Sequence, residues 1–196
     1  MVNKKQMSTR TMVTGALLTA LVIILQFIGA SIKLGPFSVS LVLIPIAIGA
    51  ITCGKLVGTW LGLVFGIVVL ASGDAAPFWA VNVPGTIVTV LLKGMACGFI
   101  SGLVYEALVK AFGKNRTNMQ YIAAIVAALV CPIVNTGVFL LGCLVFFMKT
   151  VTEWAGGSNV GTYMIVVLVG VNFIFEMAVN IIFAPAISHI VKVVKK

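Results

Sequence analysis

The sequence predicts an all-α membrane protein with six transmembrane helices and both termini on the cytoplasmic side. Three observations predict it: an apolar composition, six apolar runs of about span length, and an uneven placement of Lys and Arg. Of the 196 residues, 61% are hydrophobic and 9% charged, too few polar groups to coat a soluble domain of this size. The runs are residues 11–32, 38–53, 56–72, 84–108, 120–148 and 163–191. Roughly 20 apolar residues in a helix cross a hydrocarbon core of about 30 Å, so these runs meet or nearly meet the requirement. With both ends inside, ten of the thirteen Lys and Arg face the cytoplasm, among them Arg10, Lys55, Lys110 and Arg116. Only Lys33 and Lys149 fall outside, and Lys93 lies within a span, as the positive-inside rule requires.

The first run, 11–32, is too long for a signal peptide and no small-residue cleavage site follows, so a retained helix is expected. The second and third runs together exceed one bilayer crossing. Thr52-Cys53-Gly54-Lys55 between them reads as a turn with a charge at its tip, making a hairpin of two shorter helices. The third run carries Gly54, Gly58, Gly62 and Gly66, and the fourth Gly94, Gly98 and Gly102. A glycine every four residues leaves one helix face flat enough for another helix to approach closely, either within the bundle or on a partner subunit. The fifth run is interrupted by Pro132, which lacks a backbone donor.

These helices and their connections occupy the whole of residues 1–196, read as a single membrane domain. A phosphate-cradling GxxxxGK[ST] is absent, so any ATP chemistry belongs to another subunit and the chain itself needs no cofactor. Catalytic residues are not expected either, because no HExxH or GxSxG occurs. Cys53, Cys97, Cys131 and Cys143 lie in apolar runs without paired spacing, and the chain has a single His. They read as packing residues, and no metal site is expected. The net charge of +9 is scattered between apolar runs rather than gathered into a basic stripe, which argues against nucleic acid.

Ionisable and amide side chains at membrane depth are the natural place to look for function, because burying them unpaired costs several kcal/mol on the order usual for lipid. Asn172, Glu176 and Asn180 recur every four residues on one face of the last run. Lys93 stands in the fourth run, Asn135 follows Pro132 by three residues, and Gln26 nears the outer end of the first. Two readings remain open: Lys93 and Glu176 neutralise one another while the amides join helices, or the groups line a solute cavity. The outer connection from Gly73 to Pro84 adds Phe78, Trp79 and Asn82, placed to close over a ligand or to anchor at the interface. Lys33 to Phe37 forms a second outer connection, a lid or a simple turn. The candidate substrate-binding residues are therefore Lys93, Asn135, Asn82, Trp79, Asn172, Glu176 and Phe37.

The basic start, Ala16-x-x-x-Ala20, the run Leu34-Gly-Pro-Phe-Ser-Val-Ser-Leu-Val-Leu-Ile-Pro45, Gly49-Ala50 and the Gly54-Lys55 hairpin together resemble the substrate-binding S components of energy-coupling factor vitamin transporters. Ser72-Gly-Asp-Ala-Ala76 and Cys131-Pro-Ile-Val-Asn-Thr-Gly137 look most like members assigned to pantothenate. The resemblance implies a prokaryotic plasma-membrane receptor that captures a small water-soluble vitamin outside. It implies docking on a transmembrane T component with two cytoplasmic ATPases, Ala16 and Ala20 contacting the T component, and release inside. It also implies that the Lys33 to Phe37 connection is a mobile gate. A buried Lys93 suits a carboxylate, and the amides suit hydroxyl and amide groups. The rival reading is a stand-alone proton-coupled secondary transporter of a small organic acid, with Glu176 carrying the proton.

Overall fold

A computed structural model describes residues 8–34, 37–38, 40–112 and 117–194, and within them every side chain except those of 33, 34, 37, 117 and 186–194. The chain is helical almost throughout. α1 (Thr9–Ala30) leads to a two-residue antiparallel pair, β1 (Lys33–Leu34) and β2 (Phe37–Ser38), in which Lys33 faces Ser38 and Leu34 faces Phe37. α2 (Leu43–Thr52), α3 (Lys55–Ser72), a single turn α4 (Ala76–Trp79), α5 (Val83–Phe112) and α6 (Thr117–Phe146) follow. α7 (Met148–Ala155) and α8 (Val160–Thr162) complete the outer connection, and α8 passes through a π-helical segment (Tyr163–Gly170) into α9 (Val171–Val194).

Five helical stretches are long and apolar enough to cross a membrane. The expected second span differs from the others: only Leu43–Thr52 is helical, and ten residues rise about 15 Å, half a hydrocarbon core. Pro45 sits in its first turn, where no intrahelical N–H is needed. α2 is buried on nearly every side, with Leu43, Ile46 and Ala47 wholly inaccessible, and it packs against α1, α3, α5, α6 and α9. The turn at Gly54 has φ +96, open to glycine at no steric cost, which lets α3 start at Lys55 and return antiparallel.

The glycine faces meet one another within the bundle. A side chain on Gly62 would overlap the Gly94 carbonyl, and one on Gly94 would overlap that of Gly62. Gly58 and Gly98 oppose each other in the same reciprocal way, and Gly102 lies against the backbone of Lys55. α3 and α5 thus touch backbone to backbone, and their facing turns carry van der Waals contact that larger residues would prevent. At the end with the Gly54 turn, Lys55 Nζ reaches Glu106 Oε2 at 2.8 Å. α1 is held more loosely by α2 and α3, with Trp60 Nε1 donating to Thr19 Oγ1 at 3.3 Å.

Two apolar clusters form the interior. The larger joins α1, α2, α3, α5 and α6 through residues such as Val22, Leu43, Phe65 and Ala127. The smaller lies at the end of the α4 and α7 connections and contains Phe78, Phe147, Val151, Met164 and Leu168. Cys97, Cys131 and Cys143 are buried packing residues, and the four described cysteines are all free. Outward faces are apolar on each long helix, with Leu17, Trp60, Leu92, Leu141 and Ile174 exposed. Such a surface is stable against lipid and not against water, which makes this a multi-pass membrane protein.

Candidate functional site

An open cavity lies where the two clusters meet. The larger cluster contributes Val69, Ala75 and Val90 to its wall and the smaller one Phe78, Leu168 and Val169. Polar groups enter from each side: Gln26 from α1, Ser38 and Ser40 from the β2 to α2 connection, Asp74 beyond α3, Lys93 from α5, Asn135 and Thr136 from α6, Asn172 and Glu176 from α9. Lys93, Asn135, Asn172 and Glu176, read from four separated positions in the chain, thus line one space.

Lys93 is set by the glycine seam, since its neighbour Gly94 is locked against Gly62. Its Nζ stands 5.4 Å from the Phe65 ring centroid and 5.5 Å from that of Phe139. Each ring face stabilises the ammonium by about 2 kcal/mol when water is excluded. Among the described residues the one ion pair within 4.0 Å is Lys55–Glu106, so neither Glu176 nor Asp74 is a contact partner of Lys93. Lys93 and Glu176 thus make no direct ion pair, though each charge acts on the other across the cavity.

Glu176 is 5% exposed, and its Oε2 has no hydrogen-bond partner. Asn135 Oδ1, Asn172 Oδ1 and Gln26 Oε1 are also buried without one. Four acceptor oxygens left open around one cavity is an unusual density, since buried polar atoms are nearly always satisfied. Asn180, the third member of the α9 face, lies outside the cavity lining and donates its Nδ2 to the Glu176 carbonyl at 2.8 Å.

Backbone irregularities bring these groups in. Pro132 removes one rung of α6 within a turn of Asn135. The π-helical turns of Tyr163–Gly170 widen the helix just before Asn172, a device common at functional sites. The run Ile165-Val-Val-Leu-Val-Gly170 holds β-branched residues and a terminal glycine, a weak α-helical preference that is its only sequence trace.

Other expected site residues lie elsewhere. Asn82 is outside the lining, its Oδ1 accepting from the Gly85 N–H at 3.0 Å at the start of α5. Trp79 packs half-buried against the larger apolar cluster. The Phe37 side chain lies outside the described residues. Phe78, from the same outer connection, does line the cavity and stacks edge-on with Phe139, Phe147 and Trp154 at centroid distances of 5.6, 4.8 and 5.6 Å. Asp74 is the lining residue that charge placement alone put merely at the outer face; its role appears only because Gln26 Nε2 donates to Asp74 Oδ2 at 2.6 Å. Ala16 and Ala20 are exposed on α1, away from the cavity.

A family model described as ECF transporter, substrate-specific component matches residues 10–188. No curated protein and no solved structure matches the chain.

Proposed function

The chain belongs to the ECF transporter substrate-specific component family, and from that membership we propose that it is a vitamin receptor whose cargo binds between the two apolar clusters. A substrate-specific subunit of such a transporter is a transport component and not an enzyme. The observation that carries the site is Lys93: a cation at membrane depth, facing two aromatic rings and an open cavity, with no carboxylate in contact among the described residues. A solute carboxylate can take the direct contact that neither Glu176 nor Asp74 makes, and in a low-dielectric pocket that attraction is worth several kcal/mol on the usual scale. The amides of Asn135 and Asn172 and the hydroxyls of Ser40 and Thr136 serve hydroxyl and amide groups. Pantothenate, which carries all three, is the favoured cargo.

In this reading the chain crosses the plasma membrane of a prokaryotic cell six times with both termini inside. α2 makes the second crossing together with the residues that precede it. The cavity, with Asp74 and Ala75 in its wall, then opens outward, and the Lys55–Glu106 end faces the cytoplasm. Exposed Ala16 and Ala20 give α1 a flat strip for the transmembrane T component, and two partner ATPases supply the ATP chemistry. A stand-alone proton-coupled carrier has one observation in its favour, the unpartnered Oε2 of Glu176. Proteoliposomes holding this chain alone separate the two: the receptor binds cargo without accumulating it under a pH gradient.

Calorimetry with pantothenate on the purified chain tests the site. Wild type binds, while Lys93→Ala and Asn135→Ala bind more weakly; unchanged affinity in both variants removes them from the site. Mass spectrometry of small molecules released from protein purified in mild detergent identifies the cargo independently.

A further inference from the structure

Lys93 accounts for one end of a solute, and Gln26 and Asp74, which line the same cavity, carry the reverse chemistry. Gln26 lies four residues from the end of α1, about 6 Å along its axis, and is 2% exposed. Its Nε2 is committed to Asp74 Oδ2 at 2.6 Å, while its Oε1 is buried with no hydrogen-bond partner; both residues line the cavity. Asp74 directly follows Gly73, the left-handed cap of α3. Lys93 lies ten residues into α5, about 15 Å along the helix from Val83. No contact of 4.0 Å or less joins Asp74 to Lys93.

This pair therefore offers mainly acceptors, a carboxylate and an orphaned amide oxygen, because Gln26 Nε2 is already engaged by Asp74. A solute group that covers this pair without donating leaves buried acceptors unsatisfied, which costs more than a lost hydrogen bond. An anionic group there meets Asp74 across a poorly screening gap. We infer that the cargo is bipolar, with its anionic end at Lys93 and a hydrogen-bond-donating end, hydroxyl or N–H, against Asp74 and Gln26, which act as specificity-determining residues. This rests on the solute-binding reading above. It excludes dicarboxylates and small acids lacking a donor at the far end, whatever their fit by volume.

The test is calorimetry on the full chain in detergent with three probes: pantothenate; pantothenol, which keeps the hydroxyl end and lacks the carboxylate; and nicotinate, which has a carboxylate and no hydroxyl. Wild type is expected to bind pantothenate best, pantothenol at least about tenfold more weakly, and nicotinate not at all. Asp74→Leu and Gln26→Leu should each weaken pantothenate and pantothenol by the same factor, about tenfold, the usual effect of losing a hydrogen bond to a charged or buried group. Asp74→Asn keeps the side-chain size and one acceptor, and a several-fold loss in it keeps the test decisive if a Leu variant fails to fold. Wild-type affinity in all three variants, or a loss confined to pantothenate, overturns the inference while leaving the receptor reading intact. Failure of wild type to bind any probe removes the cargo proposed above and this inference with it.

Discussion

Alanine substitutions along the α3–α5 glycine seam should destabilise the protein in an order set by what each new methyl group meets. On Gly62 it would overlap the Gly94 carbonyl, backbone against backbone, with no side chain free to move aside. On Gly58 it would lie 2.6 Å from Ala50 Cβ and 2.7 Å from Gly98 O. Ordinary contact begins near 3.4 Å, so the helices must part there by roughly 0.7 Å, a displacement shared by every contact on that turn. On Gly66 the nearest atoms are Leu91 Cδ2 at 3.0 Å and Val90 O at 3.1 Å, and the leucine can yield. Gly137, inside α6, meets nothing within 4 Å. Overpacking costs about 1–3 kcal/mol, so Gly62→Ala is expected at about 3, Gly58→Ala at about 2 and Gly66→Ala near 1. Gly137→Ala should instead stabilise by up to about 1 kcal/mol through helix propensity. At about 2–4 °C per kcal/mol for a chain of this length, Gly62→Ala should melt on the order of 10 °C below Gly137→Ala. Thermal unfolding in one detergent, followed by tryptophan fluorescence or size exclusion after heating, measures the series. Equal melting of Gly62→Ala and Gly137→Ala would refute the backbone-contact reasoning. The same displacement moves Lys93, next to Gly94, so Gly62→Ala should also weaken ligand binding while Gly137→Ala leaves it unchanged.

Phe78→Ala removes a side chain that is 5% exposed and makes three ring contacts; about 3–5 kcal/mol of stability should be lost, and affinity should fall as the cavity wall opens, both readable in one melting series with and without ligand. Lys55→Met should matter little despite its 2.8 Å ion pair, because the two side chains are 35% and 45% exposed; a loss above about 1 kcal/mol in the same melting assay would show the pair to be better shielded than it is here. Ala16→Trp should leave ligand affinity intact and prevent co-purification with a T component; recovery of the intact complex would rule out this strip of α1 as the docking face.

Much of the helical plan was legible from residue order because it depends on local rules. Apolar length located the long helices to within a few residues at most ends, and Gly54 marked the turn between α2 and α3. The second run misled as to length: residues 38–42 are apolar enough to continue a helix, yet α2 begins only at Leu43, after the β1–β2 pair. Apolarity reports burial, and a short buried helix is as apolar as a spanning one. The four lining residues Lys93, Asn135, Asn172 and Glu176 stood out because polar groups are costly at membrane depth. Trp79 and Phe78 are adjacent in one outer loop, and composition offered no means of telling that Phe78 turns into the cavity and Trp79 onto the larger cluster.

Membrane residence and the position of nearly every long helix follow from the sequence by itself, since the bilayer imposes one solvent rule on each segment separately. The partners of the glycine faces, the separation of Lys93 from Glu176 and the pairing of Gln26 with Asp74 were decided only by tertiary structure. Gln26 and Asp74 are 48 positions apart, and no local preference links them. Their contact exists because α1 and the end of α3 are packed side by side, and packing of that kind depends on the shapes of all the helices at once.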